Sequence, residues 1–319
     1  MKITRHIAHQ MLEVLDDLRE DMKGRKPENY PYAEWEKRRE KVKERLGRLP
    51  EYVEKAASMI TIAKTAGNPK EGTLVQRTML FLFARLMDKS NRDMEDVMWL
   101  FGPMFGMDVS YKTVERLYSD PDVRLVLHNL FVLLLMDEDV SGDLAGDGTG
   151  YTLTVSRHYR SDPKKRGKAY RYSFRLIDIM TGMYVGVGYS AKSEMQAFHR
   201  AIEMAGSMGI AIDSIRLDKY FSSRKVLKLF GEKTAVYLIP KKNISNIGLL
   251  WSRVIRRMLD SPLKYLCEYF KRNLSEGGHS SDKRRFGWII RQRKDDRQEM
   301  AMFSTALFHN LFFIRMNLR

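Results

Sequence analysis

Four residues near the C-terminus have the types and spacing to work on phosphates: Tyr269, Arg272, Glu276 and Lys283, at offsets 0, 3, 7 and 14. On a helix of about 3.6 residues per turn these offsets fall within roughly 60° of one another, a single narrow stripe. A carboxylate framed by a phenol and two cations suits a metal ion held beside phosphate groups, since metal and cations all favour negative charge. Glu268 competes with Glu276 as the ligand; it lies about 80° away around the same helix, so the two cannot face one site equally. Upstream, Asp147 and Asp218 each close a strand-like segment. Ligand sites of open α/β sheets gather at such strand ends. If the first and fourth strands are neighbours, Asp147 and Asp218 converge, and Glu276 arrives from a later helix. Three hard oxygen donors suit Mg²⁺ or Mn²⁺, with two ions expected to activate a water or 3′-hydroxyl and to stabilise the leaving oxygen. His158, His199 and His279 have no partners at metal-ligand spacing and read as structural.

The charge distribution agrees with a polyanionic partner. The chain of 319 residues carries a net charge of +16. Residues 1–140 hold 23 Lys/Arg against 24 Asp/Glu, whereas residues 141–319 hold 33 against 16. The whole positive excess therefore lies in the half with the three carboxylates, as a nucleic-acid enzyme requires. Lys241-Lys242 and Arg284-Arg285 add to the candidate DNA contacts of that half. A single cysteine, Cys267, excludes an internal disulfide and a thiolate-rich zinc site. The charged, amphipathic N-terminus MKITRHIAHQMLEVLDDLRE does not resemble a signal peptide. The apolar run Leu125–Met136 is too short to span a bilayer. A cytoplasmic protein with no membrane partner is expected.

The positioning elements follow from periodicity. Residues 1–22 read as an amphipathic helix, 24–32 as a turn-rich linker, and 33–65 as one or two charged helices broken near Pro50. Residues 74–119 form a helical cluster. Asp93 can cap one helix there and Ser110 a second, with Gly106-Met107-Asp108 between them, the outline of a helix-turn-helix. From residue 140 the texture becomes strand (140–146), hairpin loop (155–168), strand (170–178), strand (183–189), helix (192–208), strand (211–217), short helix (222–230) and strand (234–240). Long helical segments follow at 246–275 and 295–317. That order predicts an RNase H-like α/β domain, a five-stranded mixed sheet with flanking helices, preceded by an all-α region. The expected organisation is a helical region at 1–70, a possible DNA-binding domain at 71–139, and a catalytic domain at 140–319 with a small helical insertion around 243–265.

Asp147, Asp218 and the Tyr269-x2-Arg272-x3-Glu276-x6-Lys283 signature resemble the DDE transposases of bacterial and archaeal insertion sequences, in the branch with a Tyr-Arg-Glu-Lys motif. The resemblance covers residues 140–319. It implies divalent-metal cleavage at the ends of a mobile element, followed by joining of the 3′-hydroxyl ends to target DNA. By the same resemblance Asp147, Asp218 and Glu276 hold the metals, while Tyr269, Arg272 and Lys283 contact phosphates. The implied partners are the element's terminal repeats and target DNA, engaged by a homodimer associated with a prokaryotic nucleoid. Lys219 and Tyr220 stand where the family has small residues, and only 57 residues separate Asp218 from Glu276, leaving room for a small insertion only. Two competing readings are a structure-selective nuclease on the same fold, which cuts without joining, and a non-catalytic DNA-binding regulator.

Overall fold

The computed structural model describes residues 3–22, 32–61, 70–106, 109–153, 170–242, 244 and 247–313. Seven helices come first: α1 (Arg5–Met22), α2 (Tyr32–Gly47), α3 (Leu49–Ser58), α4 (Leu74–Met87), α5 (Asn91–Phe105), α6 (Tyr111–Leu117) and α7 (Pro121–Met136). The break expected near Pro50 falls at Arg48, with the proline in the first turn of α3, where its missing N–H costs nothing. Thr73 starts α4 with a reciprocal cap, its hydroxyl accepting from the Gln76 amide at 3.2 Å while Gln76 accepts from the Thr73 amide at 2.8 Å. Thr73→Ala is expected to cost about 1 kcal/mol, read as a fall in melting temperature; an unchanged melt would show the cap to be idle.

Two helices, α5 and α6, stand where the helix-turn-helix outline is expected, and Met107-Asp108 of its turn lie outside the described residues. Ser90, not Asp93, caps α5, and Asp93 is its reciprocal partner. Gly106 ends α5 with φ of +60°, a left-handed turn that favours glycine. Ser110 caps α6 as expected, but α6 is only 7 residues long. The face α5 leaves open carries Trp99, Leu100 and Met104, with Arg92 also exposed on that helix.

The remaining elements are β1 (Asp143–Leu153), β2 (Tyr170–Asp178), β3 (Tyr184–Ser190), α8 (Glu194–Ser207), β4 (Ser214–Leu217), a 3₁₀ turn (Lys219–Phe221), α9 (Arg224–Leu227), β5 (Ala235–Tyr237), α10 (Leu249–Asp260), α11 (Pro262–Phe270), α12 (Asn273–Phe286), β6 (Ile289–Ile290) and α13 (Asp295–Phe312). The strand order is β3-β2-β1-β4-β5, with β6 also paired to β1. β1, β2 and β3 run antiparallel, while β4, β5 and β6 join in parallel. This mixed sheet with flanking helices is the RNase H-like arrangement expected, with two corrections. Among the described residues the sheet has six strands rather than five. β1 does not end at Gly146 but runs on through Asp147-Gly148-Thr149-Gly150. Those glycines do not make a turn. They leave room, because a Cβ at Gly148 would meet the Glu194 carboxylate at 1.7 Å and one at Gly150 the Tyr170 ring at the same distance. The hairpin loop expected at 155–168 lies outside the described residues.

Helix α8 covers one sheet face and α12 and α13 the other, with α7, α4 and α3 stacked beyond α13. The helix read at 246–275 is divided: Ser261-Pro262 separates α10 from α11, since Pro262 can begin a helix but not continue one. α10 occupies the place of the small helical insertion. One continuous hydrophobic core links the amino-terminal helices to the sheet, from Met11 to Leu311.

Candidate active site

The register of β1 creates the site. β4 pairs with β1 only over Asp143–Gly146, and β6 only over Thr152–Leu153. Between them, residues 147–151 have a strand neighbour on the β2 side alone. Asp147 stands at one end of this slot. Leu217, the last residue of β4, is partnered by Gly146, so the next residues on each strand, Asp218 and Asp147, emerge side by side. β1 and β4 are the neighbouring strands that the expected convergence requires, although Asp147 lies within its strand and not at its end.

Each carboxylate is held differently. The Asp147 carboxylate accepts from the Gly148 amide at 2.9 Å, and its backbone carbonyl accepts from His279 Nε2 at 3.2 Å. Burial raises the Asp147 carboxyl to about 6; nearby Glu276 and Asp218 push the same way, against the Gly148 amide and Arg272. Asp218 also caps the 3₁₀ turn by accepting from the Tyr220 amide at 3.1 Å. That turn drives Phe221 into the core against Phe174 and Phe198. Glu276 is exposed on the first turn of α12 and accepts from Arg272 at 2.7 Å.

Arg272 is the centre of the group. Its guanidinium lies 3.7 Å from Asp218 while it bonds Glu276, and 5.5 Å from the Tyr269 ring centroid. Burial opposes the Arg272 charge, but Tyr269, Glu276, Asp218 and Asp147 outweigh it and raise its pKa. The predicted single helical stripe is corrected: α11 ends at Phe270, and Lys271-Arg272 form the turn into α12. Tyr269 thus lies on one helix, Glu276 and Lys283 on the next, and Arg272 at the joint. Gly277-Gly278 neither end nor kink α12.

Glu268 turns elsewhere, pairing with Arg216 of β4 and with Lys271. Lys283 is buried, its ammonium 4.3 Å from the Trp288 ring and 5.5 Å from that of Tyr151. Burial lowers its pKa, with Arg175 adding to the effect. Arg284 and Arg285 are exposed at the end of α12; Arg285 lies over the Phe312 ring at 4.1 Å. Lys241 and Lys242 are exposed beyond β5, and Lys242 pairs with Asp16 of α1 at 3.5 Å.

Sequence reading missed a fourth carboxylate, Glu194 at the start of α8, whose pKa burial and Asp218 both raise. Its only sequence signal is the glycine opposite. It also missed Arg175 and Asp282, a fully buried ion pair behind Asp147.

Among the described residues, no three His, Cys, Asp or Glu side chains stand at metal-binding spacing. The donor set nevertheless fits a hard divalent cation in kind. Asp147, Asp218 and Glu276 bring three carboxylates around a single guanidinium, an excess of negative charge that oxygen-seeking cations complement. Among the described residues no helix is long and apolar enough to cross a membrane.

Comparison with known proteins gives one relationship across nearly the whole chain. Over 314 residues the sequence is 59% identical to the probable transposase for insertion sequence element ISA1214 of Archaeoglobus fulgidus, covering 98% of each protein. No protein-family model matches the chain, and no solved structure does.

Proposed function

The chain belongs to the insertion-sequence transposase family of that relative, and from this premise we propose that it cleaves the ends of an insertion element and joins the 3′-hydroxyl ends to target DNA. The observation that carries the proposal is the meeting of Asp147, Asp218 and Glu276 about Arg272. In this reading the three carboxylates hold divalent metal, Mg²⁺ or Mn²⁺, as two ions. When bound, the metal supplies a lowered pKa for the attacking hydroxyl and charge neutralisation at the leaving oxygen.

The chain's own groups do the rest. Arg272 can exchange its carboxylate partners for a phosphate, which its planar fork grips bidentately. Tyr269 braces that guanidinium from below. Lys283 supplies a point charge beside Trp288, and exposed Arg284, Arg285, Lys241 and Lys242 extend the basic surface along a DNA backbone. Metal affinity is expected to rise when DNA is present, since phosphate oxygens would add donors to those of the three carboxylates. The N-terminal helices 1–139 would serve end recognition and pairing of two protomers, as joining two element ends requires.

The test is strand transfer by purified protein on DNA carrying the element's terminal repeats, with Mg²⁺ or Mn²⁺. Metal-dependent joined products are expected, and their loss in Glu276→Gln with retention in Glu268→Gln. Cleavage without joining would replace the transposase reading by the nuclease. DNA binding with no chemistry in any metal would leave a regulator.

A further inference from the structure

Beneath the three carboxylates lies a buried cluster that the proposed chemistry does not touch. Arg175 of β2 is fully buried, pairs with Asp282 of α12, and donates to the Tyr151 hydroxyl at 2.7 Å. The Tyr184 hydroxyl donates to the Asp282 carboxylate at 2.9 Å. His309 of α13 meets the other Asp282 oxygen through Nδ1 and the Gly182 carbonyl through Nε2, both at 3.0 Å. Beside it, Asn310 exchanges two bonds with the Tyr184 backbone, at 2.7 and 2.9 Å. Strands β1, β2 and β3 and helix α13 are all tied to one carboxylate on α12.

Such a cluster is a poor source of stability, because desolvating the charges offsets most of their attraction. What it provides is direction, since a guanidinium fork and a carboxylate fix each other's orientation. The sequence spacing says where direction matters. Asp282 lies six residues beyond Glu276, roughly 9 Å along the helix axis. Between them His279 donates to the carbonyl of Asp147. Asp147 is itself the register partner of Arg175. The strand residue that anchors the helix is therefore the neighbour of the strand aspartate that faces it. His279 and Asp282 turn inward and are buried, while Glu276 on the same helix is exposed toward the site.

We propose that the buried Arg175–Asp282 pair is a positioning device that sets Glu276 of α12 against Asp147 of β1, so that the two carboxylates hold one metal centre. This rests on the reading of those carboxylates as the metal-holding set, and assigns a role to residues that touch neither metal nor DNA. A pair that only stabilised the fold would affect melting and nothing else.

The test compares wild type, Asp282→Asn and Tyr184→Phe by single-turnover cleavage at saturating DNA and by Mn²⁺ titration of the DNA-free protein. In Asp282→Asn the rate is expected to fall about 10–100-fold and the Mn²⁺ midpoint to rise about tenfold, with DNA affinity changed less than about twofold. Tyr184→Phe removes one hydrogen bond to Asp282 and should move rate and midpoint in the same direction by about threefold to tenfold. A folded Asp282→Asn protein with unshifted rate and midpoint overturns the proposal, even if its melting temperature drops. Should Asp282→Asn not fold, wild-type values in Tyr184→Phe overturn it equally. A wild-type protein without metal-dependent cleavage would fail at an earlier step, removing the functional reading and this proposal with it.

Discussion

Replacing Asp147 with asparagine is expected to abolish cleavage and, above pH 6, to make the metal-free protein more stable. Burial raises the Asp147 carboxyl from 3.8 to about 6. The folded chain therefore keeps a proton there that the unfolded chain gives up. The sign follows by linkage: this group favours folding while protonated, and that contribution is lost as pH rises from about 4 through 6. Above pH 6 the ionised carboxylate costs the fold at most about 3 kcal/mol. Asparagine keeps the shape and can still accept from the Gly148 amide, but cannot ionise. At pH 8 Asp147→Asn should therefore melt up to about 5 °C above wild type, and at pH 4 the two should coincide. Mn²⁺ should stabilise wild type at pH 8 and leave the variant nearly unmoved. Cleavage should fall at least about a thousandfold, the equivalent of roughly 4 kcal/mol of transition-state stabilisation. Equal melting temperatures at pH 8 would mean that Asp147 is not held at a cost.

Gly188→Ala is expected to produce the largest loss of stability from a single methyl. A Cβ at Gly188 would lie 1.9 Å from the Ala197 carbonyl oxygen and 2.7 Å from the Ala201 amide, and one at Gly186 would lie 2.5 Å from the Ala201 carbonyl. These contacts are with the backbone of α8, which cannot swing aside as a side chain does. The helix must lift from the sheet, moving Phe198 and Ala201 out of contact with the core. The expected cost is about 3 kcal/mol or more, a fall in melting temperature of about 5 °C or more. Gly277→Ala is the control. It lies within α12 with open space where its Cβ would be, and should stabilise by about 0.5–1 kcal/mol. A Gly188→Ala protein that melts with wild type would show that α8 is not packed this closely.

Where the sequence was legible, a single physical rule governed the element. β2 (Tyr170–Asp178) has the boundaries that its alternation predicts, because its pattern and packing agree. β1 was cut short because Asp-Gly-Thr-Gly has the composition of a turn. The glycines serve instead to let the Glu194 and Tyr170 side chains lie across the strand, which no local pattern records. The joint between α11 and α12 was hidden for a different reason: a turn at Lys271-Arg272 breaks the helix yet keeps Tyr269, Arg272 and Glu276 together. The proposed metal-holding set, Asp147, Asp218 and Glu276, could be named because strand ends and motif spacing point to it. Arg175 could not, since an arginine in an alternating strand reads as solvent-facing. Its partner is 107 residues away in sequence, where only the folded chain brings it near.

The place of α13 in the core bears on how the protein is made. Nearly every residue from Arg297 to Leu311 is buried, against α2, α4, α7, α12 and β3. All of those elements precede α13 and are synthesised before it. Helix α7, apolar on most of its surface, must therefore wait with one flank uncovered until translation has passed residue 312. An incomplete product, from a premature stop or a frameshift late in the reading frame, lacks the piece around which the rest closes. It would be degraded or aggregate rather than persist as a folded fragment.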